Sequence, residues 1–218
     1  NSKMKKSGIE WRGEIPEGWE VKKLQFLCKI NPSKSEYRGD KNIEVTFLPM
    51  EKVGEQGEIE KDDIRNFLDV CNGYTYFRDG DVLIAKITPC FENGKGTLVQ
   101  GLRNGFGFGS TEFHVLRADE LIIPEYLYFI TYSQPFRRMG EALMLGAAGQ
   151  KRVPESFIKN FIIGIPPKNE QILIIRILKK KIQSIETLIQ KIQSQILKLK
   201  EYRQALISNV VTGKVRVA

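Results

Sequence analysis

From Ile175 to Leu206 apolar residues return at alternating intervals of three and four. Written as a heptad, the a positions are Ile175, Ile182, Ile189 and Ile196, and the d positions are Leu178, Ile185, Ile192, Leu199 and Leu206, with Arg203 taking one seam position. A seven-residue repeat of this length describes a helix whose apolar seam needs a second helix beside it. No Gly or Pro interrupts Lys168 to Ser208, so at about 1.5 Å per residue the helix reaches roughly 60 Å. Pro166 and Pro167 stop it upstream, Asn169 is a candidate N-cap, and Gly213 is a plausible stop. The competing reading is a long core helix packed on its own domain. Against it, Gln183, Ser184, Lys191, Gln193, Ser194, Lys198 and Lys200 leave most of the circumference polar.

Upstream the pattern is shorter-ranged. Gly8 to Glu20 is punctuated by Pro and Gly, carries Trp11 and Trp19, and shows no period; it reads as an ordered leader that docks its indoles on the domain body. Val21 to Cys28 places Leu24, Leu27 and Cys28 on one side and predicts a short amphipathic helix, and Asn31 to Asn42 is a polar loop. Ile43–Leu48, Val82–Ile87, Gly96–Val99, Phe113–Leu116 and Phe161–Ile165 are predicted strands. Pro124–Thr131 and Pro135–Glu141 each open with Pro at a helix start. The expected fold class is α+β: a globular domain over residues 1–165 with a mixed, largely β core and short helices, then a coiled-coil helix over 166–218.

Composition adds little beyond solubility: 218 residues with 41% hydrophobic and 28% charged side chains are those of a globular protein. Cys28, Cys71 and Cys90 are odd in number, widely spaced and free of any C-x-x-C pair. That points to neither a disulfide framework nor a zinc site, and to a reducing cytoplasm. No apolar stretch is long enough to span a bilayer. Charge changes the picture more. The net +8 suggests a polyanionic partner, yet residues 168–208 hold nine Lys/Arg against three Asp/Glu, and Lys214 and Arg216 add to them. Residues 1–167 are left with 23 of each sign, so a DNA-facing surface there must come from local clustering.

Catalytic constellations are missing. His114 is the one histidine, and its setting in Ser110-Thr111-Glu112-Phe113-His114-Val115-Leu116 reads as a hydrogen-bonded strand residue rather than a general base. Gly105-Phe106-Gly107-Phe108-Gly109 is loosely similar to the glycine loops of nucleotide sites, but those lie between a strand and a helix, and this one leads into a strand. Asn31-Pro32-Ser33 lacks the second Pro and the aromatic that an adenine methyltransferase places after its Asn. The chain reads as a non-enzyme without metal or cofactor of its own. Its most distinctive stretch runs from Gly80-Asp81-Val82-Leu83 to Lys86-Ile87-Thr88-Pro89-Cys90-Phe91-Glu92-Asn93-Gly94-Lys95. There Lys86, Thr88, Asn93 and Lys95 are of the types that donate to phosphates and base edges. Gly149-Gln150-Lys151-Arg152 is a second compact basic loop. A solvated hairpin explains either composition equally well.

These same residues carry a resemblance. The stretches Ser7-Gly8-Ile9-Glu10-Trp11 with Gly13-Glu14-Ile15-Pro16-Glu17-Gly18-Trp19, the Gly80–Lys95 run, Ser110–Leu116, Ile165-Pro166-Pro167 with Glu170-Gln171, and Leu199–Ser208 with Val211-Thr212-Gly213-Lys214-Val215 resemble the specificity subunit of type I restriction–modification systems. The resemblance implies a target-recognition domain followed by a spacer helix. In that family the subunit has no catalysis of its own. It reads double-stranded DNA and holds modification subunits, adenine-N6 methyltransferases that bind S-adenosylmethionine; restriction subunits that use ATP then join. The usual subunit carries two recognition domains and two spacer helices paired antiparallel, whereas this sequence has one of each, as either a natural half-length form or a fragment of a two-domain subunit.

DNA contact is therefore expected at Lys86, Thr88, Asn93, Lys95, Ser110, Thr111, Gln150, Lys151 and Arg152. The a/d seam residues are expected to join two copies into an antiparallel homodimer on an interrupted palindrome. Two readings from other classes compete: a coiled-coil dimeric scaffold without DNA readout, which a sequence-specific gel shift rules out, and a nuclease or methyltransferase, which the missing motifs oppose.

Overall fold

The ordered leader begins as a hairpin, in which β1 (Met4–Ile9) pairs antiparallel with β2 (Arg12–Pro16). Its indoles dock as expected. Trp11 stacks on Phe161 with ring centroids 5.6 Å apart, and buried Trp19 donates from Nε1 to Glu170 at 2.9 Å. The computed structural model describes residues 3–9, 11–147 and 149–215; Asn1, Ser2, Glu10 of the opening motif and Arg216 of the basic tail lie outside them.

The helix expected over Val21–Cys28 is not formed. The segment is β3 (Glu20–Lys23), a 3-10 turn (Leu24–Phe26) and β4 (Cys28–Ile30). Helical and strand periods are hard to separate over eight residues, and here partner strands decide: Glu20–Lys23 pairs with Ile162–Ile165, and Cys28–Ile30 with Leu116–Ala118. Leu24, Leu27 and Cys28 are buried all the same, and burial pushes the Cys28 thiol up to about 12.

In chain order there follow β5 (Glu44–Leu48), β6 (Ile64–Asn66), α1 (Phe67–Val70), β7 (Thr75–Arg78), β8 (Asp81–Ala85), β9 (Gly96–Leu98), β10 (Phe106–Gly109), β11 (Phe113–Ala118), α2 (Pro124–Tyr132), α3 (Gln134–Ala142), α4 (Glu155–Asn160), β12 (Ile162–Ile165) and α5 (Lys168–Val211). Two four-stranded sheets, ordered β6-β5-β10-β7 and β4-β11-β8-β9, form the body, antiparallel except where β10 runs parallel to β5. Strand alternation sends Leu48 and Phe77 to one side, where they pack with Leu83, Val99, Phe113 and Val115 of the second sheet's strands and connections. The intervening residues Val45, Phe47, Tyr76, Phe106 and Phe108 pack on the other side against Phe67 and Val70 of α1. The Gly105–Gly109 tract is thus no nucleotide loop; most of it is the inner strand β10. Glycine is required there because a Cβ at Gly107 would lie 2.5 Å from Thr46 O, and one at Gly109 2.2 Å from Leu48 O, with the Phe77 ring close to both.

One ion pair sits inside this body. Arg117 of β11 donates from Nε and Nη2 to the two carboxylate oxygens of fully buried Asp81, each at 2.7 Å, and from Nη1 to Glu36 in the loop after β4. Asp81 also accepts from Arg78 N at 2.9 Å.

Helix α5 begins at Lys168, so Asn169 lies inside it and is not the N-cap. The Pro167 carbonyl, which accepts from Glu170 N at 2.9 Å and Gln171 N at 3.0 Å, opens the helix instead. Gly213, at φ +72°, follows its end, and Lys214 N reaches back to Asn209 O at 2.9 Å in the expected terminating pattern. The chain divides into two compact units between Ile172 and Leu173. The first turn of α5 belongs to the globular unit because Gln171, fully buried, accepts from Ile123 N and donates to Leu121 O and Pro166 O, each at 2.9 Å. Along the helical unit Ile175 is buried and Leu178 half-buried, while Ile182, Ile185, Ile189, Ile192, Ile196, Leu199 and Leu206 are exposed. Among the described residues no helix is long and apolar enough to cross a membrane.

Candidate nucleic-acid interface

Three segments distant in sequence meet along the edge made by strand ends of the second sheet, where inner strand β8 stops and inner strand β11 starts: the β8–β9 connection, the β10–β11 turn and the α3–α4 connection. Their seams are backbone hydrogen bonds. Lys86 N donates to Glu112 O and Val153 N to Lys86 O, both at 2.8 Å, and Thr88 N donates to Lys151 O at 3.0 Å. The Thr88 hydroxyl donates to Gly149 O and accepts from Lys151 N at 3.1 Å, so it staples the two loops together. The two basic stretches, 86–95 and 149–152, thus form a single feature, which neither stretch revealed alone.

Within it the expected DNA contacts have different standing. Asn93, Thr111, Gln150, Lys151 and Arg152 are exposed, whereas Lys86, Thr88, Lys95 and Ser110 are half-buried. Ser110 Oγ accepts from Glu112 N at 3.2 Å and shapes the β10–β11 turn, and Lys95 Nζ donates to Met50 O at 3.2 Å. Arg152 is paired: its Nε and Nη2 donate to the two Glu112 oxygens at 2.8–3.1 Å. The Arg152 hydrogen bond and charge hold the Glu112 carboxyl below its ordinary value. Lys151 has a pinned backbone and an exposed side chain.

Behind this edge lies a polar cleft of about 260 Å³ lined by Asn31, Lys34, Tyr74, Tyr76, Lys86 and Thr111 among others. Lys34 and Tyr74 go unnoticed in the sequence, where Asn31 stands only as an incomplete methyltransferase motif. The signal available for Asn31 is its place before Pro32; the fold puts it at φ +49°, where its side chain accepts from Val115 N at 2.9 Å and donates to Glu155 at 2.7 Å. Nothing local marked Lys34 or Tyr74, which lie apart from Lys86 in sequence; in the fold Lys34 Nζ donates to Asn72 Oδ1 at 2.7 Å and so ties its loop to the one that carries Tyr74. His114 is a strand residue, as read. Its Nε2 donates to Val153 O at 2.8 Å and its Nδ1 faces the Asn31 amide at 3.4 Å, and burial holds its pKa below the ordinary 6.5. No cluster among the described residues has the make-up of a metal site.

A two-sheet body that presents tethered polar loops and continues into an amphipathic helix is the architecture of a recognition module. The chain belongs to the type I restriction modification DNA specificity domain family, whose model matches residues 16–198 and so takes in both the loops and most of α5. The family is one of non-catalytic DNA-recognition subunits. Among curated relatives, the chain is 44% identical over 165 residues to the type I restriction enzyme EcoEI specificity subunit of Escherichia coli, covering 74% of this chain and 27% of that protein. It is 43% identical over 160 residues to the EcoAI specificity subunit of the same organism, covering 72% and 27%. Against the MjaVIII specificity subunit of Methanocaldococcus jannaschii the match is 25% over 98% of this chain and 49% of that one. The chain therefore spans between a quarter and a half of the length of these relatives. The HsdS subunit from Thermoanaerobacter tengcongensis has the same fold, with a TM-score of 0.67 at 20% identity over 86% of this chain and 48% of its own. A structure described for complex assembly and conformational transition of the type I R-M system gives 0.65 at 19% identity, covering 89% and 46%.

Proposed function

We propose that this chain reads one half-site of a DNA target and holds adenine-N6 methyltransferase subunits beside it, with no catalysis of its own. S-adenosylmethionine belongs to those partners, and ATP to the restriction subunits that join them. The observation that carries the reading is the family match, which spans recognition loops and helix together. Lys86, Thr88, Asn93, Lys95, Ser110, Thr111, Gln150, Lys151 and Arg152 are the proposed DNA contacts, with Asn31, Lys34 and Tyr74 added by the cleft.

Assembly follows from α5. Seven exposed Ile and Leu residues in a/d register are not stable in water, since each is worth about 1.5–3 kcal/mol when fully buried. The next longest described helices have nine residues and offer no match to a seam that runs from Ile175 to Leu206 of the 44-residue helix. The occupant we propose is the same helix of a second copy of this chain. Ile at a with mixed Ile and Leu at d does not select a parallel dimer, so the arms run antiparallel, as the family resemblance implies, and place one recognition domain near each end. Light scattering of the purified chain tests this: a dimer is expected at micromolar concentration. The Ile182→Asp, Ile189→Asp double variant should be a folded monomer that no longer binds the full site tightly. A monomeric unmodified chain overturns the assembly.

A further inference from the structure

The β8–β9 connection is a tight helical turn. Phe91 N donates to Ile87 O at 3.0 Å, Asn93 N to Pro89 O at 2.9 Å and Lys95 N to Cys90 O at 2.9 Å. Phe91 is fully buried while Glu92 and Asn93 are exposed, so the turn has a root and a tip. One side chain of α3 holds the carbonyl end of that root. Arg137 donates from Nη1 to Phe91 O at 3.0 Å and from Nη2 to Gly94 O at 3.1 Å, and its guanidinium lies 4.8 Å over the Phe91 ring. Gly140, three residues on, presses against the same ring: a Cβ there would sit 2.5 Å from it.

This arrangement is costly. Among the described residues no carboxylate pairs with Arg137, its Nε is buried without a hydrogen-bond partner, and burial lowers its pKa to about 10. Packing against Phe91 alone would be served by Met or Leu without that penalty. What an apolar side chain cannot supply is a planar fork that reaches two carbonyls at the end of a helical turn, where unpaired C=O groups favour a cation.

We propose that Arg137 is a positioning residue for DNA reading: it fixes the Phe91 and Gly94 carbonyls so that Asn93 and Lys95 are presented in one frame, without touching DNA itself. The proposal rests on the reading of the 88–95 turn as DNA-facing. Its test uses the full chain and two probes, a duplex carrying the sequence recovered from a randomised library and a random-sequence duplex. Arg137→Lys keeps the charge and the stem but loses the fork. It should fold, lose about tenfold in the ratio of cognate to random affinity, keep the salt dependence on random duplex, and show faster amide hydrogen exchange at Asn93 and Lys95. Arg137→Met should fall at least as far. The Asn93→Ala, Lys95→Ala double variant should lose the same ratio directly. A wild-type ratio in Arg137→Lys, or an equal loss on both probes, overturns the positioning role. A wild-type ratio in the Asn93, Lys95 double variant overturns the underlying reading of the turn, and the proposal with it.

Discussion

Arg117→Met removes the cation from the most enclosed carboxylate among the described residues. Asp81 is fully buried and receives three hydrogen bonds, of which Arg117 supplies two at 2.7 Å and Arg78 N one at 2.9 Å. Met fills much of the volume of the arginine stem, so the loss is electrostatic. Breaking one partner out of a buried pair costs about 3–5 kcal/mol, because the remaining charge is left uncompensated. Glu36, the second acceptor, is more than a quarter exposed and adds little after solvent screening. About 4 kcal/mol out of a total on the order of 5–15 is a large share, and at about 2–4 °C per kcal/mol it lowers Tm by roughly 10 °C. Urea unfolding followed by Trp11 and Trp19 fluorescence reads the globular unit, and an unchanged m-value shows that the loss is in stability itself. An Asp81→Asn, Arg117→Met double variant should recover at least half of the deficit. A single variant within about 1 kcal/mol of the parent would refute the reasoning, since it would mean that Asp81 is not paying for burial through Arg117.

Further outcomes are expected at the loops. Burial is the main cause that holds His114 below 6.5, with Lys86 also lowering it; its hydrogen bond to Val153 O opposes, and so do Glu155 and Glu112. The unfolded chain therefore takes up the extra proton first; the stability His114 contributes is present above about pH 6.5 and falls as pH drops below it, and His114→Gln should flatten that slope in urea midpoints below about pH 6.5. Lys151→Ala should weaken binding to all duplexes alike and reduce the slope of log affinity against log salt by about one. Alanine at Lys86, Lys95, Lys151 and Arg152 together, with affinity and salt slope both unchanged, would show that this edge does not face DNA. Glu112→Gln frees the Arg152 fork and should steepen the same salt slope.

The long-range pattern was the most legible part of the chain. Eight turns of heptad repeat in α5 outweigh any local ambiguity, and the end signals at Pro167 and Gly213 act where expected. Short segments were less so. Val21–Cys28 buries the residues that a helix would bury, but strands at Ile162–Ile165 and Leu116–Ala118 claim its backbone, and no local period records partners that lie about 90 and 140 residues away. In the Gly105–Gly109 tract glycine marks close backbone approach inside a sheet, which in sequence looks the same as a ligand loop. For the candidate site, residue type pointed to both basic loops. Their junction through Thr88 and the neutralisation of Arg152 by Glu112 exist only in three dimensions.

Selection of bound duplexes from a randomised library by the unmodified chain tests the central claim most directly. An antiparallel dimer of identical recognition domains should recover an interrupted palindrome. The 44-residue helix, about 66 Å long, limits the half-site centres to a separation of about two turns of duplex. Recovery of a single uninterrupted, asymmetric sequence, or of no sequence preference at all, would contradict it.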